Sequence, residues 1–171
     1  MKSNKLCSVV KWLIANSSRL ILALVLIFSG IVKLIDPHGT EYKIEDYALS
    51  FGVSEFLPIY APLVLAIALA MFEFCMGVNL LFVINRRLTS TLVLIFLTIF
   101  TPFTLYLAIE NPVHDCGCFG DAWKLTNWQT FIKNVILLTS AIIMTMYHKL
   151  QSRLISIHSQ WLVSTYTWVF G

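Results

Sequence analysis

The segment PIYAPLVLAIALAMFEFCMGVNLLFVI, from Pro58 to Ile84, decides how the rest of the chain must be read. It is apolar throughout except for Glu73 and Asn79. At ~1.5 Å rise per residue it is long enough to cross a bilayer with some tilt. A helix that is hydrophobic all round belongs in a membrane or deep inside a large protein, and 171 residues do not make a large protein. Composition agrees: 58% hydrophobic residues, 12% charged residues and a mean hydropathy of +0.79 fall outside the soluble range. The expected fold class is all-α, a polytopic membrane protein built as a four-transmembrane-helix bundle. Its first partner is the lipid bilayer. Nothing resembles a phosphate-cradling glycine loop or a basic nucleic-acid patch, which sets those functions aside.

Upstream of this span, residues 1–19 carry Lys2, Lys5, Lys11 and Arg19 with no acid, around an apolar patch at Val9, Val10, Trp12, Leu13 and Ile14. A short interfacial helix on the cytoplasmic face is expected there. The long basic lead and the lack of a small-residue cleavage site argue against a signal peptide. Asn16-Ser17-Ser18 offers caps for a new helix, the first span, from Leu20 to about Ile35. Lys33, near its outer end, is expected to snorkel to the interface. Asp36-Pro37-His38-Gly39 ends that helix and turns the chain. The acidic stretch that follows, with Asp36, Glu41, Glu45, Asp46 and Glu55 against Lys43, predicts an amphipathic helix on the outer surface.

Downstream, Asn85-Arg86-Arg87 closes the second span, and a third runs from about Leu88 to Ile109. Pro102 predicts a kink in it, with Thr98 and Thr101 satisfying freed backbone groups. A polar loop from Glu110 to about Asn127 precedes the fourth span, Trp128 to Tyr147. Residues 20–147 thus form the membrane domain. Residues 148–171 are a largely apolar tail, which would lie in the interface or begin a fifth span. Lys2, Lys5, Lys11, Arg19, Arg86, Arg87, Lys149 and Arg153 collect on one side without acids, which places both termini in the cytoplasm of a cell whose inner membrane the chain spans. The Glu110–Asn127 loop then faces the oxidising side. Trp123 and Trp128 beside it fit an interfacial aromatic belt.

That loop contains His114-Asp115-Cys116-Gly117-Cys118-Phe119-Gly120-Asp121. Two thiols separated by one glycine can close into a small disulfide ring, because Gly117 tolerates the backbone angles that closure demands. Asp115 and Asp121 oppose thiolate formation, whereas a protonated His114 would favour it. One reading is a cycling thiol–disulfide centre. A second is a static brace, although a bond spanning one residue constrains little chain. A third uses His114, Cys116 and Cys118 as soft metal ligands, but a C-x-C pair does not have structural-zinc spacing.

Glu73 is the ionisable residue deep inside a span and a functional candidate on that ground, as a proton or quinone site or as a pin for helix packing. Ala66, Ala70, Glu73 and Gly77 share one small-residue face suited to close packing, so Glu73 points inward, toward a hydroxyl such as Ser29. Cys75 reads as a small apolar filler and Cys7 as a reduced cytoplasmic thiol. His38, His148 and His158 read as surface residues.

Phe28-Ser29-Gly30-Ile31-Val32-Lys33-Leu34-Ile35-Asp36-Pro37, Glu73 with Gly77, and Asp115-Cys116-Gly117-Cys118-Phe119-Gly120 together resemble the MauE branch of the DoxX-like membrane proteins, over about residues 19–147. The resemblance implies a four-helix membrane bundle. It also implies an involvement in methylamine utilisation and disulfide formation, or in quinone-linked thiol redox chemistry. The loop lacks the C-x-x-C of disulfide-generating bundles and a second dithiol to relay electrons. The expected function is therefore a thiol–disulfide oxidoreductase component. Cys116 and Cys118 would exchange with a thioredoxin-like or disulfide-bearing extracytoplasmic protein, and His114 would assist proton transfer. Electrons would pass to or from another protein or a lipid-soluble quinone, and no bound cofactor is evident. The rival expectation is a non-catalytic anchor or assembly subunit of a redox or biogenesis complex; a solute carrier has only Glu73 and Asn79 to recommend it.

Overall fold

The computed structural model describes residues 2–56, 58–110, 125–151 and 165, with side chains from residue 7 onward. The chain is all-α in these parts. Five helices are formed: α1 (Lys2–Ile35), α2 (Pro37–Ser50), α3 (Ala61–Phe82), α4 (Arg86–Glu110) and α5 (Asn127–Met146). Short 3-10 turns follow at Ser54–Phe56 and His148–Leu150. Cys7–Ile35, α3, α4 and α5 are long and apolar enough to cross a membrane, and the chain is a multi-pass membrane protein. Large apolar side chains such as Val64, Leu88, Ile99 and Ile136 point outward, as a lipid solvent allows. His114, Cys116, Cys118, Trp123, His158 and the tail from residue 152 to 164 lie outside the described residues.

Several expectations are corrected. No break occurs at Asn16–Ser18: α1 is one continuous helix, and Asn16 donates its side-chain amide to the Trp12 carbonyl one turn back instead of capping a new start. Asp36 is the one residue between α1 and α2. Its φ of −128° leaves the helical region, as the residue before a proline must, and its carboxylate caps α2 by accepting from the Gly39 amide at 3.1 Å. Pro37 occupies the first helical turn, where its missing N–H costs nothing, so Gly39 is helical and makes no turn. α4 continues as helix through Pro102. The hydroxyls of Thr98 and Thr101 donate to the Leu94 and Leu97 carbonyls, not to the Thr98 carbonyl that Pro102 deprives of its amide.

α1 and α3 run antiparallel in close contact, because each offers a glycine at the seam. A Cβ on Gly30 would lie 2.7 Å from the Phe74 nitrogen and 2.9 Å from the Ala70 carbonyl. One on Gly77 would lie 2.7 Å from the Ile27 nitrogen. α4 packs on α5, where Asn134 Nδ2 donates to Thr104 Oγ1 at 3.2 Å. One apolar core joins all four spans: Leu22, Ala23 and Leu26 of α1, Met76 and Leu80 of α3, Val93 and Leu97 of α4, and Leu137, Ala141 and Met144 of α5. α2 lies across the far end of α3 and α4, with Tyr47 edge-on to Phe103 at 5.6 Å and Phe51 stacked on Tyr106 at 5.6 Å.

Candidate functional site

Ser29 and Lys33 stand one turn apart on α1 and therefore share a face. That face meets α3 where the Gly30 seam brings the backbones together. Lys33 Nζ donates to Glu73 Oε1 at 2.7 Å and to Oε2 at 2.8 Å. Ser29 Oγ donates to Oε2 at 2.7 Å. Glu73 is 4% exposed and Lys33 1%, so the pair is sealed within the bundle. Lys33 does not snorkel. α3 begins twelve residues before Glu73, about 18 Å along the axis, whereas α1 stops two residues after Lys33. α3 therefore extends past the end of α1 on the face that carries Lys33, and the ammonium meets a carboxylate before it meets water. A buried charge persists only when paired and hydrogen-bonded, and the Ser29 hydroxyl supplies the third bond.

Several buried polar residues were not identified from the sequence as part of the bundle's interior, Arg19 and Asn134 among them. Arg19, expected at the cytoplasmic flank, is buried and donates through one guanidinium nitrogen to the Leu80 and Leu81 carbonyls at 3.2 and 3.0 Å. It thereby satisfies the last turn of α3, where a cation also complements the helix dipole. Asn134 pairs with Thr104, as above. The sequence did carry signals for the clasp and for Asn134: Ser29 and Lys33 at helical spacing facing a span with one acid, and Asn134 at i+4 from Thr130 on α5.

The cysteines divide by position. Cys75 is reduced and fully buried within α3, and Cys7 is reduced and exposed near the start of α1. Cys7 lies at the end of the bundle where α3 finishes and α4 begins. The segment with Cys116 and Cys118 connects the opposite ends of α4 and α5. At the head of α5, Thr126 forms a reciprocal capping box with Gln129. At this same end a groove opens between α2 and the start of α3, lined by Glu45, Ala48, Leu49, Ser54, Ile59 and Pro62. His38 is exposed beside Glu41, 2.6 Å away. Among the described residues no three His, Cys, Asp or Glu side chains cluster as metal ligands.

The sequence model of one family, described as Methylamine utilisation protein MauE, matches residues 10–147. Among curated proteins and among solved structures nothing matches.

Proposed function

Since the chain belongs to the MauE family, we propose that it is a membrane component of thiol–disulfide exchange serving methylamine utilisation, with Cys116 and Cys118 as its reactive pair. The observation that carries this reading is the seclusion of the other cysteines. Cys75 is sealed in the bundle and Cys7 sits at the opposite end, so a two-thiol reaction falls to the Cys-Gly-Cys pair. In the exchange, the thiolate of one cysteine attacks a partner protein's disulfide and forms a mixed disulfide. The second cysteine then displaces the partner, closing Cys116–Cys118 and leaving the partner as a dithiol. The reverse sequence oxidises the partner instead. A thioredoxin-like or disulfide-bearing extracytoplasmic protein fits this chemistry, with a further protein or a lipid-soluble quinone as the final electron partner. His114, two residues from Cys116, assists proton transfer. In this reading the loop faces the extracytoplasmic side of the inner membrane, an orientation that the acid-free basic flanks of the spans support, and the Ser29–Lys33–Glu73 clasp fixes α1 to α3.

Thiol alkylation in membranes across a glutathione redox series tests this. A reversible couple between roughly −120 and −270 mV supports exchange. A pair that stays oxidised well below about −300 mV is a static brace and favours the anchor or assembly subunit instead.

A further inference from the structure

At the loop end the chain leaves α2 by a fixed turn. Gly52 takes a left-handed φ of 69°, and the Val53 amide reaches back to the Ala48 carbonyl at 2.9 Å, the closure that ends a helix with a glycine just past it. The 3-10 turn at Ser54–Phe56 follows, and the Pro58 carbonyl accepts from the Ala61 amide at 2.8 Å as α3 begins. Between this connection and α2 lies the groove, about 280 Å³ in volume. Ala48, Leu49, Ile59 and Pro62 give it apolar walls, and Glu45 and Ser54 are its polar ones. The Glu45 carboxylate has neither an ion-pair nor a hydrogen-bond partner among the described residues.

The surface around the groove is apolar and acidic at once. Phe56 is 86% exposed and Ile59 84%, the highest values for large apolar side chains among the described residues. Both stand on irregular backbone, which lipid hydrocarbon excludes, so this connection lies at or above the membrane boundary. An exposed apolar patch with a polar rim marks an interaction site. Glu55 is exposed beside it, and the described residues of this end carry Asp36, Glu41, Glu45, Asp46, Glu55 and Glu110 against Lys43 and Lys133. Such a field attracts cations and repels lipid phosphates. A second copy in the same membrane offers only acid to acid, because Lys11, Arg86, Arg87 and Lys149 stand at the far end of the bundle.

We propose that this groove docks a basic, apolar segment of the extracytoplasmic protein with which the chain exchanges disulfides. An apolar side chain of that segment sits against Ala48, Leu49, Ile59 and Pro62, and a neighbouring lysine or arginine pairs with Glu45. This rests on the reading of the chain as a thiol-exchange component, and it adds the chemistry of the partner, which is cationic and amphipathic at its contact. Charge speeds the encounter and selects the partner, and the apolar contact holds it. Docking here sets the partner at the same end of the bundle as the segment that joins α4 to α5 and carries Cys116 and Cys118.

A cysteine-free peptide tests the groove on the full-length chain in nanodiscs of phosphatidylcholine. The probe is Leu-Lys-Leu-Arg-Leu with a fluorophore at one end and its central leucine replaced by photoreactive benzoylphenylalanine; its counterpart carries glutamate at both basic positions. Affinity is read by fluorescence anisotropy against empty nanodiscs, and the crosslinked site by peptide mass. The basic peptide is expected to bind at least about tenfold tighter than the acidic one, to weaken as salt is raised, and to crosslink to α2 and the head of α3. Glu45→Gln and Ile59→Ser are each expected to weaken it about fivefold, the loss of one good interface contact, while Lys11→Gln at the far end changes nothing. Equal binding of the two peptides, or binding that survives both groove substitutions, overturns the proposal. So do crosslinks confined to lipid, and so does a dimer in the nanodisc that Ile59→Ser separates. Failed binding beside a reversible Cys116–Cys118 couple overturns the groove alone. Specific binding beside a pair that never cycles overturns the exchange reading and keeps the docking site.

Discussion

Lys33 and Glu73 hold each other in the bundle, and neither is stable there alone. Removing one partner leaves an uncompensated buried charge, which costs ~3–5 kcal/mol, whereas replacing both with groups of similar volume is far milder. Lys33→Met and Glu73→Gln are each expected to lose stability on that scale in detergent unfolding, and the double variant to lose much less than the sum. Additive losses, or single losses below about 0.5 kcal/mol as for an exposed pair, would sink the ion-pair account. The acid, its inward direction and the Ser29 hydroxyl were legible in the sequence, because helical spacing places Glu73 among small residues. The ammonium was not. Snorkelling was inferred from the distance of Lys33 to the end of its own helix, and that distance says nothing of how far α3 extends past it. Depth belongs to the register between helices, which a single chain of letters does not state.

At the level of elements, the α1–α3 seam depends on two glycines facing backbone atoms that cannot yield. Gly30→Ala and Gly77→Ala each put a Cβ within 2.7 Å of a main-chain nitrogen, so the helices must part. Overpacking costs about 1–3 kcal/mol, which outweighs the ~1 kcal/mol gain in helix propensity. Both variants are expected to unfold at lower temperature than the parent, with Gly30→Ala also weakening the Lys33–Glu73 clasp one turn away. A raised unfolding temperature would contradict the seam. At the head of α5, Thr126→Ala removes the capping box at a cost of ~1 kcal/mol. The Gln129 and Thr130 amides, bonded to the Thr126 side chain and carbonyl, should then exchange hydrogen faster, while those near Met144 do not change. The spans themselves could be read from apolar length, and the observed ends of α3, α4 and α5 lie within three residues of those expected. The division of α1 could not. Asn16, Ser17 and Ser18 look like caps, but a cap forms only where the backbone leaves the helix, and here Asn16 bonds back to Trp12 and the helix continues.

For the whole molecule, charge and polarity divide along the same axis. The end where α1 and α4 start and α5 finishes carries Lys11, Arg86, Arg87 and Lys149 without an acid. The loop end carries Asp36, Glu41, Glu45, Asp46, Glu55 and Glu110 against Lys43, with Lys133 on the adjoining part of α5. Lysine and arginine in short segments flanking spans are retained in the cytoplasm, so the basic end is expected inside and the loop outside. Orientation decides the chemistry, since a Cys116–Cys118 disulfide persists only in an oxidising compartment. An impermeant thiol reagent applied to intact cells should therefore label Glu55→Cys, and should label Arg87→Cys only once the membrane is opened. The reverse pattern would place Cys116 and Cys118 in a reducing compartment. Exchange with an extracytoplasmic partner would then have no route. If the expected pattern is found, the acidic surface and the paired cysteines share one compartment. The apolar core then insulates the Lys33–Glu73 pair from the cytoplasm.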